Sequence, residues 1–182
     1  MTRMRYLLIL CTVIGLTRPA GATVLVPADV GELAREAGAI VRGRVSEIAP
    51  RWSDDRRSIE TLVTIEVESA LKGPLAGTVR FLVPGGAIGR YRSVFVGAPA
   101  FSLGQHVLVF LGWRGPSHPF LLGLSQGVFR VEPDRNGSWL VTPPPVAPSG
   151  PTVRIARGDP ARRPVPLAEF ERRVRELVGE RP

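Results

Sequence analysis

The chain has 182 residues, of which 44% are hydrophobic and 22% charged, with 20 Gly and 18 Pro. That balance excludes wholesale disorder and leaves room for one domain with appendages and a buried core. The formal net charge is +8, but 23 of the 24 basic residues are Arg and they interleave with acids. No like-charge stripe with intervening aromatics marks a nucleic-acid surface, so no nucleic-acid partner is expected.

Arg3 and Arg5 precede an apolar run of 11 residues from Tyr6 to Leu16, and Ala20-Gly21-Ala22 follows. A basic start, a short apolar core and an A-x-A site predict a secretory signal peptide over residues 1–22, cut between Ala22 and Thr23. The apolar run is well short of the roughly 20 residues needed to span a bilayer. Cys11, the single cysteine, lies inside that run behind bulky Leu10, which does not suit a lipid anchor. Removing residues 1–22 also removes Arg3, Arg5 and Arg18, so the mature 160 residues carry +8 less 3, or +5. The mature chain then has no thiol, hence no disulfide, thiolate metal site or cysteine nucleophile. The expected location is periplasmic or secreted, with no stable membrane insertion after cleavage.

Asp29, followed three residues later by Glu32, predicts a capping box opening a short helix to Ala37, with Gly38 as its stop. The period then changes to two. Ala39 to Ile48 places Val41, Gly43 and Val45 on one face and Arg42, Arg44 and Ser46 on the other. Residues 49–57 read as a polar turn. In the next strand Ile59, Thr61, Val63, Ile65 and Val67 alternate with Glu60, Leu62, Thr64, Glu66 and Glu68, giving one buried and one wet face. Leu71-Lys72-Gly73-Pro74 ends it. Thr78 to Val83 forms another strand, and a shorter one is expected around Tyr91 to Val96. His106 to Gly112 is a continuous apolar run, predicting a central strand covered on both faces. Phe120 to Glu132 reads as strand interrupted at Gly123 and Gly127, taken as kinks or bulges. Asn136-Gly137 predicts a hairpin into Ser138 to Val141.

Short strands separated by Gly and Pro predict a mainly all-β, antiparallel barrel or sandwich over residues 23–142. Residues 143–166 contain 8 Pro in 24 positions and predict an extended strap or linker. Leu167, Phe170, Val174, Leu177 and Val178 form one stripe of a C-terminal amphipathic helix over residues 167–179, expected to pack on the barrel.

Gly123-Leu124-Ser125-Gln126-Gly127 fits G-x-S-x-G, but strand residues rather than a helix follow it, and both histidines precede it. A small serine hydrolase using Ser125 with His106 and Asp54 or Asp55 is therefore an alternative resting on chain order alone. His106 and His118, without cysteine or H-E-x-x-H spacing, predict no metal site, and no cofactor is expected. Asp54 and Asp55 read as solvated turn residues. The remaining functional hint is aromatic residues in loops beside arginines: Trp52; Tyr91 between Arg90 and Arg92; Trp113 beside Arg114; and His118 nearby. These residue types anchor interfaces, so all seven are candidate partner contacts.

The runs Val41 to Val45 (VRGRV), Thr61 to Gly73 (TLVTIEVESALKG), Val83 to Gly86 (VPGG), Gly97 to Gln105 (GAPAFSLGQ), Val107 to Leu111 (VLVFL) and Ser125 to Val131 (SQGVFRV) resemble a family of uncharacterised bacterial exported proteins. Their progression is also similar to the oligonucleotide/oligosaccharide-binding (OB) barrel of netrin-like modules, which include tissue inhibitors of metalloproteinases. The resemblance implies an OB-like antiparallel barrel. It does not imply that inhibitory mechanism, which needs an N-terminal cysteine where the mature chain has Thr23. The expectation is an exported, non-enzymatic binding module whose partner is an envelope or secreted protein, with a protease as one candidate. An envelope binder of anionic polymer is a further alternative.

Overall fold

The computed structural model describes residues 29–74, 76–113, 118–144 and 163–179. Helix α1 (Val30–Glu36) is followed by strands β1 (Ala39–Trp52), β2 (Ile59–Lys72), β3 (Thr78–Pro84), β4 (Gly86–Ile88), β5 (Tyr91–Ser93), β6 (His106–Gly112) and β7 (Phe120–Leu121). A single 3₁₀ turn (Leu124–Gly127) leads to β8 (Val128–Pro133), β9 (Trp139–Thr142) and β10 (Val165–Pro166), and helix α2 (Leu167–Gly179) closes the described chain. The signal-peptide region, its cleavage site at Ala22 and Thr23, and residues 145–162 of the strap lie outside the described residues.

Helix α1 starts as its sequence predicts. The Glu32 N–H donates to Asp29 Oδ1 at 2.8 Å, and the Asp29 N–H donates to Glu32 Oε2 at 3.4 Å. Its end differs from expectation, because the chain leaves through Ala37 in an extended conformation rather than through a left-handed glycine. Gly38 is needed for space instead: a Cβ there would lie 2.8 Å from the Trp113 ring. The last carbonyls of α1 are capped from a distance. The Lys72 ammonium donates to Ala34 O at 2.7 Å and Arg35 O at 3.1 Å, where the negative end of the helix dipole favours a cation.

The long strands β1 and β2 pair antiparallel from Ile40↔Lys72 to Trp52↔Ile59, with three register shifts that bend the ribbon. β1 therefore runs four residues past Ile48, through Pro50 to Trp52. Only its Ala39–Arg44 part also pairs with β6, so Pro50, which has no N–H, lies where β1 has one hydrogen-bonded neighbour. The eight-stranded sheet is mostly antiparallel, in the order β1-β2-β3-β7-β6-β8-β9-β10. One pair departs from the antiparallel expectation: β3 meets β7 in parallel through Leu82↔Phe120. β4 and β5 form a separate hairpin, and Val94 to Val96, expected as strand, follow it as exposed loop. The Gly123 to Gly127 stretch is likewise not a kinked strand. The 3₁₀ turn occupies it, and a Cβ on Gly127 would come within 2.0 Å of Leu122 O.

Two apolar layers hold the sheet. Val41, Val45, Val63, Ile65, Phe81, Val107 and Val109 pack inside the curve of the sheet. Ile40, Leu108, Phe110, Phe129 and Val141 pack outward against Leu33 and Ala34 of α1 and Phe170 and Val174 of α2. This double duty explains why β6 has no polar face: alternate residues enter different cores. The rings of Phe110, Phe129 and Phe170 form a chain from β6 through β8 to α2, with centroids 5.6 and 5.0 Å apart. Ion pairs bind the same helix to the sheet. Arg42 on β1 pairs with Glu68 on β2 and, through Nε at 2.8 Å, with Glu171 on α2, which also takes Arg175 at 3.1 Å. The predicted C-terminal helix thus packs on the sheet along its predicted stripe. No helix among the described residues is long and apolar enough to cross a membrane.

Candidate functional site

The extension of β1 carries Trp52 to the far end of the β1–β2 ribbon, where the tight turn Ser53 to Ser58 begins. Ser53 N–H donates to Ser58 O at 2.9 Å to close that turn. The Ser53 hydroxyl donates to Asp55 Oδ1 at 2.7 Å, and the Arg57 N–H donates to the same oxygen at 3.1 Å. These donors, the Ser53 hydroxyl first, hold the Asp55 carboxyl below its ordinary pKa. Asp54 turns the other way, to Arg51 at 3.2 Å, while Arg51 grips Glu60 across the ribbon at 2.6 Å. The Glu60 hydrogen bond and charge raise the Arg51 pKa further above its already high ordinary value. The two adjacent acids therefore have separate partners.

The β4–β5 hairpin folds onto this end. Tyr91 meets Trp52 edge to face with centroids 5.5 Å apart, and the Arg90 guanidinium lies 5.1 Å over the Tyr91 ring. Arg90 also donates to the Tyr91 hydroxyl at 3.0 Å. Trp52 and Tyr91 remain 38% and 50% exposed, too accessible to serve only as packing. Arg56 lines the same cleft as the two rings, and neither it nor Arg90 forms an ion pair among the described residues.

The seven predicted contacts are not one surface. Trp52, Arg90 and Tyr91 come together, whereas Arg92, next in β5, lines a cavity beneath the hairpin. Trp113 sits instead over Gly38, at the opposite end of β1, and Arg114 lies outside the described residues. His118 lines a cleft of about 700 Å³ with Arg51, Asp54, Asp55 and Glu60, beside the same turn but on the outer side of β3. Sequence reasoning missed Val94 and Val96, 77% and 76% exposed, and Phe95 at 50%. Their β-branched and aromatic character suggested a strand. The signal against one was three apolar residues in a row with no polar alternation, between Ser93 and a glycine.

Below the hairpin is a cavity of about 420 Å³ whose floor is Ile48, Val63, Val83 and Phe101. The residues of the G-x-S-x-G stretch lie elsewhere. The Ser125 N–H donates to Gly97 O at 3.0 Å, and its hydroxyl has no hydrogen bond to His106 among the described residues. His106 Nδ1 faces Glu68 at 2.9 Å, and its ring lies 5.0 Å from that of Trp139. Among the described residues, no group of three or more His, Cys, Asp or Glu could hold a metal ion. No family model matches the chain, and no curated protein matches it either.

Proposed function

We propose that the chain is an exported, non-enzymatic binding module, built as an OB-like barrel of the kind its sequence resembles, that recognises an envelope or secreted protein. Support for the barrel comes from the cyclic pairing of five strands: β1 to β2, β2 to β3, β3 to β7, β7 to β6 and β6 back to β1. Support for export comes from the basic, apolar and A-x-A succession of residues 1–22. The observation that carries the binding reading is the end face of the ribbon. There a half-exposed Trp52–Tyr91 pair lies beside Arg90 and Arg56, which have no ion-pair partner among the described residues, and these are residue types that concentrate binding energy in interfaces.

Affinity capture tests this, with residues 23–182 as bait against the envelope fraction and culture supernatant, at low and moderate salt. The expected result is one stoichiometric protein that survives moderate salt and whose affinity falls about thirtyfold or more in the Trp52→Ala/Tyr91→Ala double variant. A partner indifferent to that double variant would overturn the site. A mixture that washes away with salt would favour the anionic-polymer alternative, since exposed arginines attract polyanions only at low ionic strength. The exported form should have the mass of a chain beginning at Thr23.

A further inference from the structure

We propose that the cavity beneath the β4–β5 hairpin binds an amphiphilic anion of one chain, a linear acyl group ending in a carboxylate. The volume of about 420 Å³ is within the range of small-molecule sites. The floor is hydrocarbon continuous with the core, for Val63 and Val83 are buried core residues and Ile48 and Phe101 pack directly on that cluster. The wall carries small side chains, with Gly86 and Ala87 on the hairpin and Ala98 and Ala100 on the loop that follows it.

The polar inventory of the lining narrows the ligand. Thr61 and Ser93 are its two hydroxyl residues, and each already makes one hydrogen bond to the protein. Thr61 Oγ1 donates to Gly85 O at 2.7 Å, and Ser93 Oγ accepts from the Ile59 N–H at 2.9 Å. Two partly used hydroxyls and one guanidinium are few side-chain partners for a sugar or a nucleobase, whose polar groups are costly to bury unpaired. Arg92 is the single charged residue of the described lining. It stands opposite Ala87 across the hairpin, is exposed, and makes no ion pair or side-chain hydrogen bond among the described residues. An apolar floor with one cation at its rim, unpaired among the described residues, is complementary to one hydrocarbon chain with one anion at its end. The proposal goes beyond the protein-binding reading and does not depend on it.

The test uses the full chain and a fluorescent fatty-acid probe. The probe is displaced by carboxylates from octanoate to palmitate, each below its micelle concentration, and by the matching alcohols. Affinity should rise about fourfold per added methylene until the cavity is full. Each carboxylate should bind about two- to fivefold more tightly than its alcohol, a preference that Arg92→Gln should erase while leaving alcohol affinity unchanged. Ala87→Trp, at an exposed position where folding is retained, should abolish saturable binding of both series. A flat chain-length dependence, or a carboxylate preference that survives Arg92→Gln, would overturn the proposal. So would protein that sediments with anionic phospholipid vesicles yet binds no monomeric carboxylate, which would make a membrane surface the partner.

Discussion

Replacing Phe170 by alanine should cost about 3–4 kcal/mol of stability. The ring is 6% exposed on α2 and lies 5.0 Å from Phe129, at the end of the aromatic chain that begins at Phe110. An aromatic side chain buries about 150–250 Å², which at about 25 cal/mol per Å² is worth about 4–6 kcal/mol, and alanine retains roughly a quarter of that area. The resulting figure agrees with the loss of about 3–5 kcal/mol typical of Phe→Ala in cores. Set against a total stability of about 5–15 kcal/mol, the change is large enough to move a urea midpoint well outside error while leaving the slope unchanged. Arg172→Ala serves as control. Its ion pair with Glu176 is 3.9 Å long and both side chains are more than 60% exposed, so the loss should stay under about 0.5 kcal/mol. If Phe170→Ala costs less than about 1 kcal/mol, α2 does not stabilise the sheet and its apolar stripe must serve another purpose.

Two glycines separate steric from conformational requirements. A Cβ on Gly43 would lie 2.1 Å from Glu66 O in the adjoining strand, so Gly43→Ala should cost more than about 3 kcal/mol; Gly77, with φ 73° and open space around it, should lose only about 1–2 kcal/mol on the same change. Equal losses in urea melts would contradict the close approach of β1 and β2. The lowered pKa of Asp55 sets a sign in acid. Its contribution to stability is present above the ordinary aspartate value near about 4 and is lost as pH falls through the lower native one. A carboxyl ¹³C titration should therefore give a midpoint below about 3.9, rising toward that value in Ser53→Ala; a midpoint at or above it in the native protein would refute the turn geometry.

Local rules were readable where one interaction decides the conformation. The Asp29–Glu32 capping box, the alternation from Ile59 to Val67, the Asn136-Gly137 turn and the apolar stripe of α2 each need only neighbours in sequence. The structure shows all four, except that Thr64, expected on the wet face, is buried and donates its hydroxyl to Glu47 of β1. What could not be read depends on distant partners. Pro50 argues against a strand until β6 is known to stop pairing at Arg44, and Gly38 looks like a helix stop until Trp113 is found above it. At the candidate site the residue types were legible and their grouping was not. Trp52 and Tyr91 meet because β1 overruns its predicted end and the β4–β5 hairpin folds back on it, whereas Trp113 sits at the other end of the same strand. The exposed Val94 to Val96 loop escaped notice because β propensity describes a fit to a pleated surface, and here no neighbouring strand supplies that surface.

Lys72 is the chain's single lysine, and its amine is held on the carbonyls of Ala34 and Arg35. This gives amine chemistry one side-chain target in the whole protein. A reagent that acylates free amines would modify Lys72 slowly while α1 is docked and rapidly once the helix end has opened, so the labelling rate reports that local equilibrium directly. Once acylated, the side chain can no longer bring a positive charge to the helix terminus, and opening would become self-reinforcing. The same property gives a fluorophore or cross-linker a defined side-chain address, at the opposite end of the β1–β2 ribbon from Trp52 and Tyr91, without introducing a cysteine.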